Sequence, residues 1–417
     1  MKVSVKNEIG ALTGVITHRP DKGIARVSPK RAEELLFDDI VYLPQMVEEH
    51  KIFVSVLEAF VGEKGVMEIE DLLYEALAYD KEQRRKLIDH IIDFEELPTS
   101  LSHRFYDMDN ETLADVLITG YHAQEDYIYF DPIPNFIFTR DIAVTVKDYV
   151  IITKAAKVAR HRENFITRFI FYTHPIFKSI VDEKKIIDLN DRELFPPSKK
   201  GEVVSIEGGD MMIIDENYLL IGCSERTTDH AFYSIKDFLF KHGIIDNVVQ
   251  VNIPDERFCM HIDTLFTRID DDTVVAFKPI VYEGKSSNVH VFRSDDTRVM
   301  YPSVKDFFIH EINPDMKFVF SGNGESPYQE REQWTDGCNL VALKPGVGIT
   351  YDRNPKTEEA FIKSGYNVIH ADELLAQIDS GTLNPKDISK TIITLRSGEL
   401  SRARGGSHCM TCPISRL

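Results

Sequence analysis

Five separate stretches of this chain repeat one local plan: a strand opening on a polar residue, a turn, a second apolar strand and, in most cases, a helix. They are EIGALTGVITHRP (8–20), with a helical pattern from Pro44 to about Phe60; PNFIFTRDIAVTVKDYVIIT (134–153); and VVSIEGGDMMIIDENYLLIG (203–222), with a helix expected over 229–242. The fourth is HIDTLFTRIDDDTVVAFKP (261–279). The fifth is CNLVALKPGVGITY (338–351), with a helix expected over 356–364 and a strand near 366–369. A unit of this size cannot bury its own apolar face, so five of them imply a closed, repeat-built architecture. Their irregular spacing also fits a series of unrelated α/β units.

One stretch follows another period. From Asp71 to about Gly120 the apolar residues Leu72, Leu73, Ala76, Leu77, Leu87, Ile88, Ile91, Ile92, Leu113, Val116 and Leu117 recur at helical spacing. Asn110 is expected to cap the last of these helices. The expected organisation is a single catalytic domain over 1–417, interrupted by a helical insertion at 71–120.

Composition narrows the functional classes. The formal net charge is -19 and no basic face is visible, which argues against a nucleic-acid partner. No apolar run is long enough to span a membrane, and MKVSVKNEIGALTG has no apolar core of a secretory signal. Five cysteines, an odd number, point to reduced thiols and a cytoplasmic location.

Four motifs carry candidate chemistry. In MHIDTLF, His261 and Asp263 stand two apart, and on a strand both would project into one site. In EGGD, two glycines between Glu207 and Asp210 make a poor strand interior, which fits a bulge or a close ligand approach. In NFIFTRD, Asp141 ends an apolar strand, with Asn135 and Phe138 upstream. Finally, Arg402, Arg404, Gly405, Gly406 and His408 lead into Cys409, and nearby cations are what convert a thiol into a useful nucleophile. Cys409 and Cys412 also form a CxxC, but no second CxxC supplies a zinc site and no helix can follow it as in a redox pair. A cysteine, a histidine and several carboxylates suit covalent catalysis on a guanidinium, whose planar fork takes bidentate hydrogen bonds from acids. The same acids and histidine could instead hold a divalent metal.

The motifs NFIFTRD, IEGGD, SERT, HIDTLF, REQWTDG, ELSRARGG and HCMTCPI, in this order, together with EIGALTGVITHRP and LLFDDI, resemble the arginine deiminase family of guanidine-modifying enzymes. The resemblance covers essentially the whole chain. It implies a five-bladed pseudo-symmetric α/β propeller of ββαβ units with an inserted helical domain. It also implies hydrolysis of L-arginine to L-citrulline and ammonia through an S-alkylthiouronium on Cys409, with no metal or organic cofactor.

Residue by residue, the resemblance makes Cys409 the nucleophile and His261 the general acid and base. Asp141 and Asp263 would grip the guanidinium, and Glu207 would orient His261. Arg226 and Arg404 would bind the substrate carboxylate, with Arg160 or its neighbour Arg162 as a third contact. Asn135 and Phe138 would line the pocket, and Asp210 would face the α-amino end. The expected partner is the small-molecule substrate, with no nucleic acid and no membrane, in a homo-oligomer (dimer or higher). The chain departs from the family pattern after FTRD, where a tryptophan and a Gly-Gly turn are expected, in a longer 169–200 region, and at Ala403, where glycine is more frequent. A dimethylarginine or agmatine hydrolase or an amidinotransferase shares the Cys, His and acid set. Arg226 with Arg404 favours free arginine over agmatine, which has no carboxylate.

Overall fold

A computed structural model describes residues 2–37, 39–254 and 256–417. The apolar β-branched runs pair as antiparallel hairpins, and each hairpin is followed by a strand that returns parallel to its second member. Ala143–Val146 and Tyr149–Ile152 form one hairpin; after the helix His161–Thr173, Ile186–Asp188 lies parallel to the second strand. Met211–Asp215, Tyr218–Cys223, the helix Asp229–Lys241 and Asn247–Asn252 repeat the pattern. So do Phe266–Asp270, Thr273–Ala276 and Lys317–Phe320. In the fourth unit Val341–Lys344 and Val347–Tyr351 are followed by the helix Pro355–Lys363, and Thr391–Leu395 separates Val347–Tyr351 from Asn367–His370. Parallel return requires a crossover, and a helix packed on the sheet supplies it.

The remaining unit departs from the sequence reading. The stretch 8–20 contains one strand, Leu12–Thr17, not two. Its antiparallel partner is Cys412–Arg416 from the opposite end of the chain, and Val66–Glu68 returns parallel to it after the helix Leu43–Val61. Local alternation could not reveal a pairing across some four hundred residues. A second departure is the hairpin Asn288–Arg293 and Arg298–Tyr301. It precedes Lys317–Phe320 in sequence but adds to the edge of the sheet that holds Asn247–Asn252. The result is a mixed α/β fold.

Helical spacing in the 71–120 region is matched by the helices Ile69–Tyr79, Lys81–Phe94, Ser102–Asp107 and Asn110–Thr119. All eleven apolar positions named above are buried there in one cluster with Ile166 and Ile170 of the helix His161–Thr173. The caps are acidic. Asp80 accepts from the amides of Glu82 and Gln83, and Asp109, not Asn110, accepts from the amide of Thr112. Asn110 is the first residue inside its helix.

Candidate active site

The site is built from turns, not from strands. The sequence placed Asp141, Glu207 to Asp210, and His261 with Asp263 on strands; the structure places them in or at the start of short 3-10 turns: Thr139–Asp141, Gly208–Asp210 and Ile262–Thr264. Each turn stands just ahead of the first strand of its unit, and the Cys409 turn likewise precedes Cys412–Arg416. Alternating apolar residues signal the strand that follows, but the tight turn carries no periodic signature.

Glycines let these turns meet. A Cβ on Gly208 would lie 1.9 Å from the Arg140 carbonyl oxygen, and one on Gly209 would lie 2.5 Å from His261 Nδ1. A Cβ on Gly405 would strike the Phe138 ring at 2.3 Å, and one on Gly406 would meet Asn339 at 2.6 Å. The two Gly-Gly pairs are therefore close-approach positions.

Cys409 is 5% exposed and opens on a cavity of about 20 Å³, room for one or two water molecules. His261, Asp141, Asn135 and Phe138 line the same cavity, and so do Arg160, Arg226 and Arg404. Leu36, Arg257, Met260 and Ala403 complete it. The sequence reading did not assign Leu36, Arg257 or Met260 to the site: Leu36 and Met260 stand inside the quoted LLFDDI and MHIDTLF stretches but were given no role, and Arg257 lies outside every motif. Arg404 sits in left-handed backbone (φ 64°) and lays its guanidinium 3.3 Å from the ring centroid of Trp334.

Three of the expected residues stand behind the cavity wall. Glu207 Oε2 lies 2.9 Å from His261 Nε2, and His261 Nδ1 lies 3.7 Å from Asp141 Oδ1. Asp263 Oδ2 lies 2.8 Å from His408 Nδ1 and accepts from the Cys409 thiol at 3.5 Å. Asp263 Oδ1 is buried and has no hydrogen-bond partner among the described residues. Asp210 is fully buried and accepts from Ser224 Oγ, Thr227 Oγ1 and the Ile262 amide. It ties the GGD turn to the SERT loop and the HID turn, so the expected contact with a substrate amino group does not match its position. Arg162 is also elsewhere: it pairs with Glu95, donates to the Leu117 carbonyl and stacks on Phe130.

Asn339 and Glu8 are supporting residues that the motifs contained but the chemistry did not single out. Asn339 accepts from the Cys409 amide at 3.1 Å and donates to the Asp263 carbonyl at 3.1 Å, so one side chain joins nucleophile turn to acid turn. Glu8 Oε2 lies 3.3 Å from His408 Nε2 and 3.2 Å from Arg140. His408 thus stands between two carboxylates, Asp263 and Glu8.

Burial and charge set the protonation states. Burial opposes a charged His261, but Asp141, Glu207 and Asp210 outweigh it and raise the imidazole to about 10. Burial would likewise raise Glu207, yet the hydrogen bond from His261 and the charge of Arg160 hold it well below the usual carboxylate range. Cys409 moves the other way. Burial, then Asp263, Asp141 and Asp336, push the thiol well above its ordinary value, and the Asn339 hydrogen bond opposes this only in part. At neutral pH the unliganded site therefore pairs an imidazolium with a neutral thiol.

Asp141, Glu207 and His261 present ligand atoms within 4.8 Å of one another, a donor set that a divalent ion could use. A cation already stands among them: Arg160 Nη1 is 2.6 Å from Asp141 Oδ2 and 3.6 Å from Glu207 Oε2. Like-charge repulsion from that guanidinium, and the His261 to Glu207 hydrogen bond, make this a poor metal site and a good site for an organic cation.

The fold and this cavity define a class. The fold is shared with dimethylarginine dimethylaminohydrolase, solved as an adduct with S-methyl-L-thiocitrulline, at a TM-score of 0.51 and 14% identity over 97% of this chain and 100% of that one. It is shared equally with the N-terminal domain of ArgZ, an arginine dihydrolase from cyanobacteria, at a TM-score of 0.51 and 14% identity over 96% and 97% of the two chains.

Sequence comparison is more specific. The arginine deiminase family model matches residues 33–119 and 106–416. The arginine deiminase of Limosilactobacillus fermentum is 32% identical over 99% of this chain and 98% of its own length, and that of Pediococcus pentosaceus is 31% identical with the same coverage. This chain belongs to the arginine deiminase family.

Proposed function

We propose that this protein hydrolyses L-arginine to L-citrulline and ammonia, with Cys409 as nucleophile and His261 as proton donor and acceptor. One observation carries the reading: a buried thiol, a cationic imidazole and a carboxylate open on one cavity whose wall also holds Arg226 and Arg404. The carboxylates suit the guanidinium end of the substrate and the two arginines its carboxylate. Asp263 Oδ1, buried and without a hydrogen-bond partner among the described residues, is a second acceptor for a guanidinium N–H, behind the wall that Asp141 lines.

The chemistry follows from the resting state. A guanidinium cation beside Asp263 and Asp141 offsets the charges that hold the thiol up, so Cys409 releases its proton to bulk water as substrate binds. The thiolate adds to the guanidinium carbon, and His261, an imidazolium at neutral pH, protonates one terminal nitrogen. Ammonia leaves, and a thiouronium remains on Sγ. The now neutral His261 takes a proton from water as its oxygen adds to the same carbon. Collapse of that adduct expels the sulfur as the adduct's hydroxyl proton passes to it, which yields citrulline and restores the neutral Cys409 thiol.

The five ββαβ units support a five-bladed arrangement in which each unit turns one loop toward the axis. Four of these loops bring Asp141, Glu207, His261 with Asp263, and Cys409, while the fifth brings Asn339. Helices over 69–119 read as an insertion into a single catalytic domain over 1–417. The family resemblance supports a cytoplasmic homo-oligomer that works without metal or organic cofactor. No helix among the described residues is long and apolar enough to cross a membrane.

The test is release of citrulline and ammonia from L-arginine with EDTA present and Cys409→Ala as control. Equal amounts of both products from the unsubstituted protein alone are expected. Arginine left intact overturns the reading.

A further inference from the structure

Asp141 faces the cavity, yet both of its oxygens are taken. Oδ1 accepts the Gly209 amide at 3.0 Å, and Oδ2 accepts Arg160 Nη1 at 2.6 Å. The Arg160 guanidinium therefore occupies the acceptor that a substrate guanidinium needs, within a cavity of about 20 Å³ that no arginine molecule could enter as it stands. Its other edge is anchored: Nε and Nη2 donate to Glu163, at 3.0 and 2.8 Å to Oε2, in the first turn of the helix His161–Thr173. Because the guanidinium is planar, Nη1 leaves Asp141 only when the whole fork swings, with Glu163 following it or giving up part of the pairing.

We propose that Arg160 is a specificity-determining residue: it holds Asp141 in place of the substrate guanidinium and yields that carboxylate only to a ligand that brings a carboxylate of its own. The inference rests on the arginine reading above. A guanidinium that displaces Arg160 Nη1 leaves a buried cation short of one anion. L-Arginine carries the replacement anion at its α-carbon; methylguanidine and agmatine do not. Selection against carboxylate-free guanidines is then achieved by a competing internal cation rather than by a missing contact.

The two ligand types must respond to Arg160→Gln with opposite sign. Binding is read by calorimetry in a Cys409→Ala background, which leaves ligands unreacted. Loss of the competitor should tighten methylguanidine by about 10- to 100-fold, the range of one buried charge-assisted hydrogen bond. L-Arginine should bind more weakly. A structural role for Arg160 weakens both ligands, and a pure carboxylate contact leaves methylguanidine unchanged; either result overturns the proposal. Should the Arg160→Gln chain fail to fold, the otherwise unsubstituted Cys409→Ala protein carries the test. Acetate and methylguanidine should each tighten the other by about 10-fold, because the anion draws Arg160 from Asp141. Independent binding of the two overturns the exchange. A protein that makes no citrulline from arginine fails the proposed function, whereas the methylguanidine comparison still reports on Arg160.

Discussion

Replacing Glu207 with glutamine tests the electrostatic core of the site. Glu207 Oε2 lies 2.9 Å from His261 Nε2, and Oε1 accepts the Ala156 amide at 3.0 Å. Glutamine keeps the shape but loses the charge, and its amide nitrogen must face one of these two donors. A buried charge-assisted hydrogen bond contributes about 1.5–3 kcal/mol. At 1.36 kcal/mol per pKa unit that is about one to two units of the rise that carries His261 from its ordinary 6.5 to about 10. The alkaline limb of the kcat/KM profile, which reports the free enzyme and where the imidazolium is lost as proton donor, should move down by the same one to two units. NMR titration of the ring proton assigns that limb to His261.

Stability follows with a definite sign. A folded-state value above the unfolded one means that His261 contributes fully below pH 6.5 and loses its contribution as pH rises through about 10. In Glu207→Gln that contribution is smaller by the same one to two units at low pH and vanishes in both proteins at alkaline pH, so denaturant unfolding should show a larger deficit at pH 6 than at pH 9. An alkaline limb that stays within a few tenths of a unit, with an unmoved imidazole titration, refutes the assignment of Glu207 as the group that keeps His261 charged.

Three further outcomes are expected. Asn339→Ala strands the buried Cys409 amide and cuts the link to the Asp263 carbonyl; kcat should fall by about 10- to 100-fold, with KM for arginine changed far less. Gly208→Ala places a methyl against the Arg140 backbone carbonyl at 1.9 Å and should cost about 3 kcal/mol in chemical denaturation while displacing Asp141. His18 lies fully buried between Glu68 at 2.7 Å and Asp21 at 3.1 Å, and although burial opposes its charge these acids raise it to about 10. His18→Gln should therefore lose about 3–5 kcal/mol at neutral pH, most below pH 6.5 and progressively less as pH climbs through about 10, with KM for arginine preserved.

How much of this was legible beforehand depends on which interactions are local. Periodicity disclosed the helices at 69–119 and the hairpins that begin at Ala143, Met211, Phe266 and Val341, because alternation and the 3.6-residue repeat are written in adjacent residues. The residue types at the site were also legible: Cys409, His261, Asp141 and the arginines stand in short motifs whose composition alone points to a cationic substrate. The backbone that carries them was not, since 3-10 turns have no period, and all three acid and histidine positions were assigned to strands.

Tertiary structure alone decided the rest. Leu12–Thr17 finds its partner at Cys412–Arg416 because an unpaired strand edge is satisfied by whatever segment the tertiary fold brings beside it, at any sequence distance. Asp210 and Asp263 look alike as single acids near strand starts, yet one is saturated by Ser224, Thr227 and the Ile262 amide while the other keeps an oxygen with no hydrogen-bond partner among the described residues, beside Cys409. Arg160 and Arg162 are two residues apart, but the turn of the helix sends one to Asp141 and the other to Glu95. The sequence by itself determined which chemical groups are present and the local elements that bear them. Burial, which fixes protonation, and contacts between distant turns, which fix who faces whom, exist only once the chain has closed on itself.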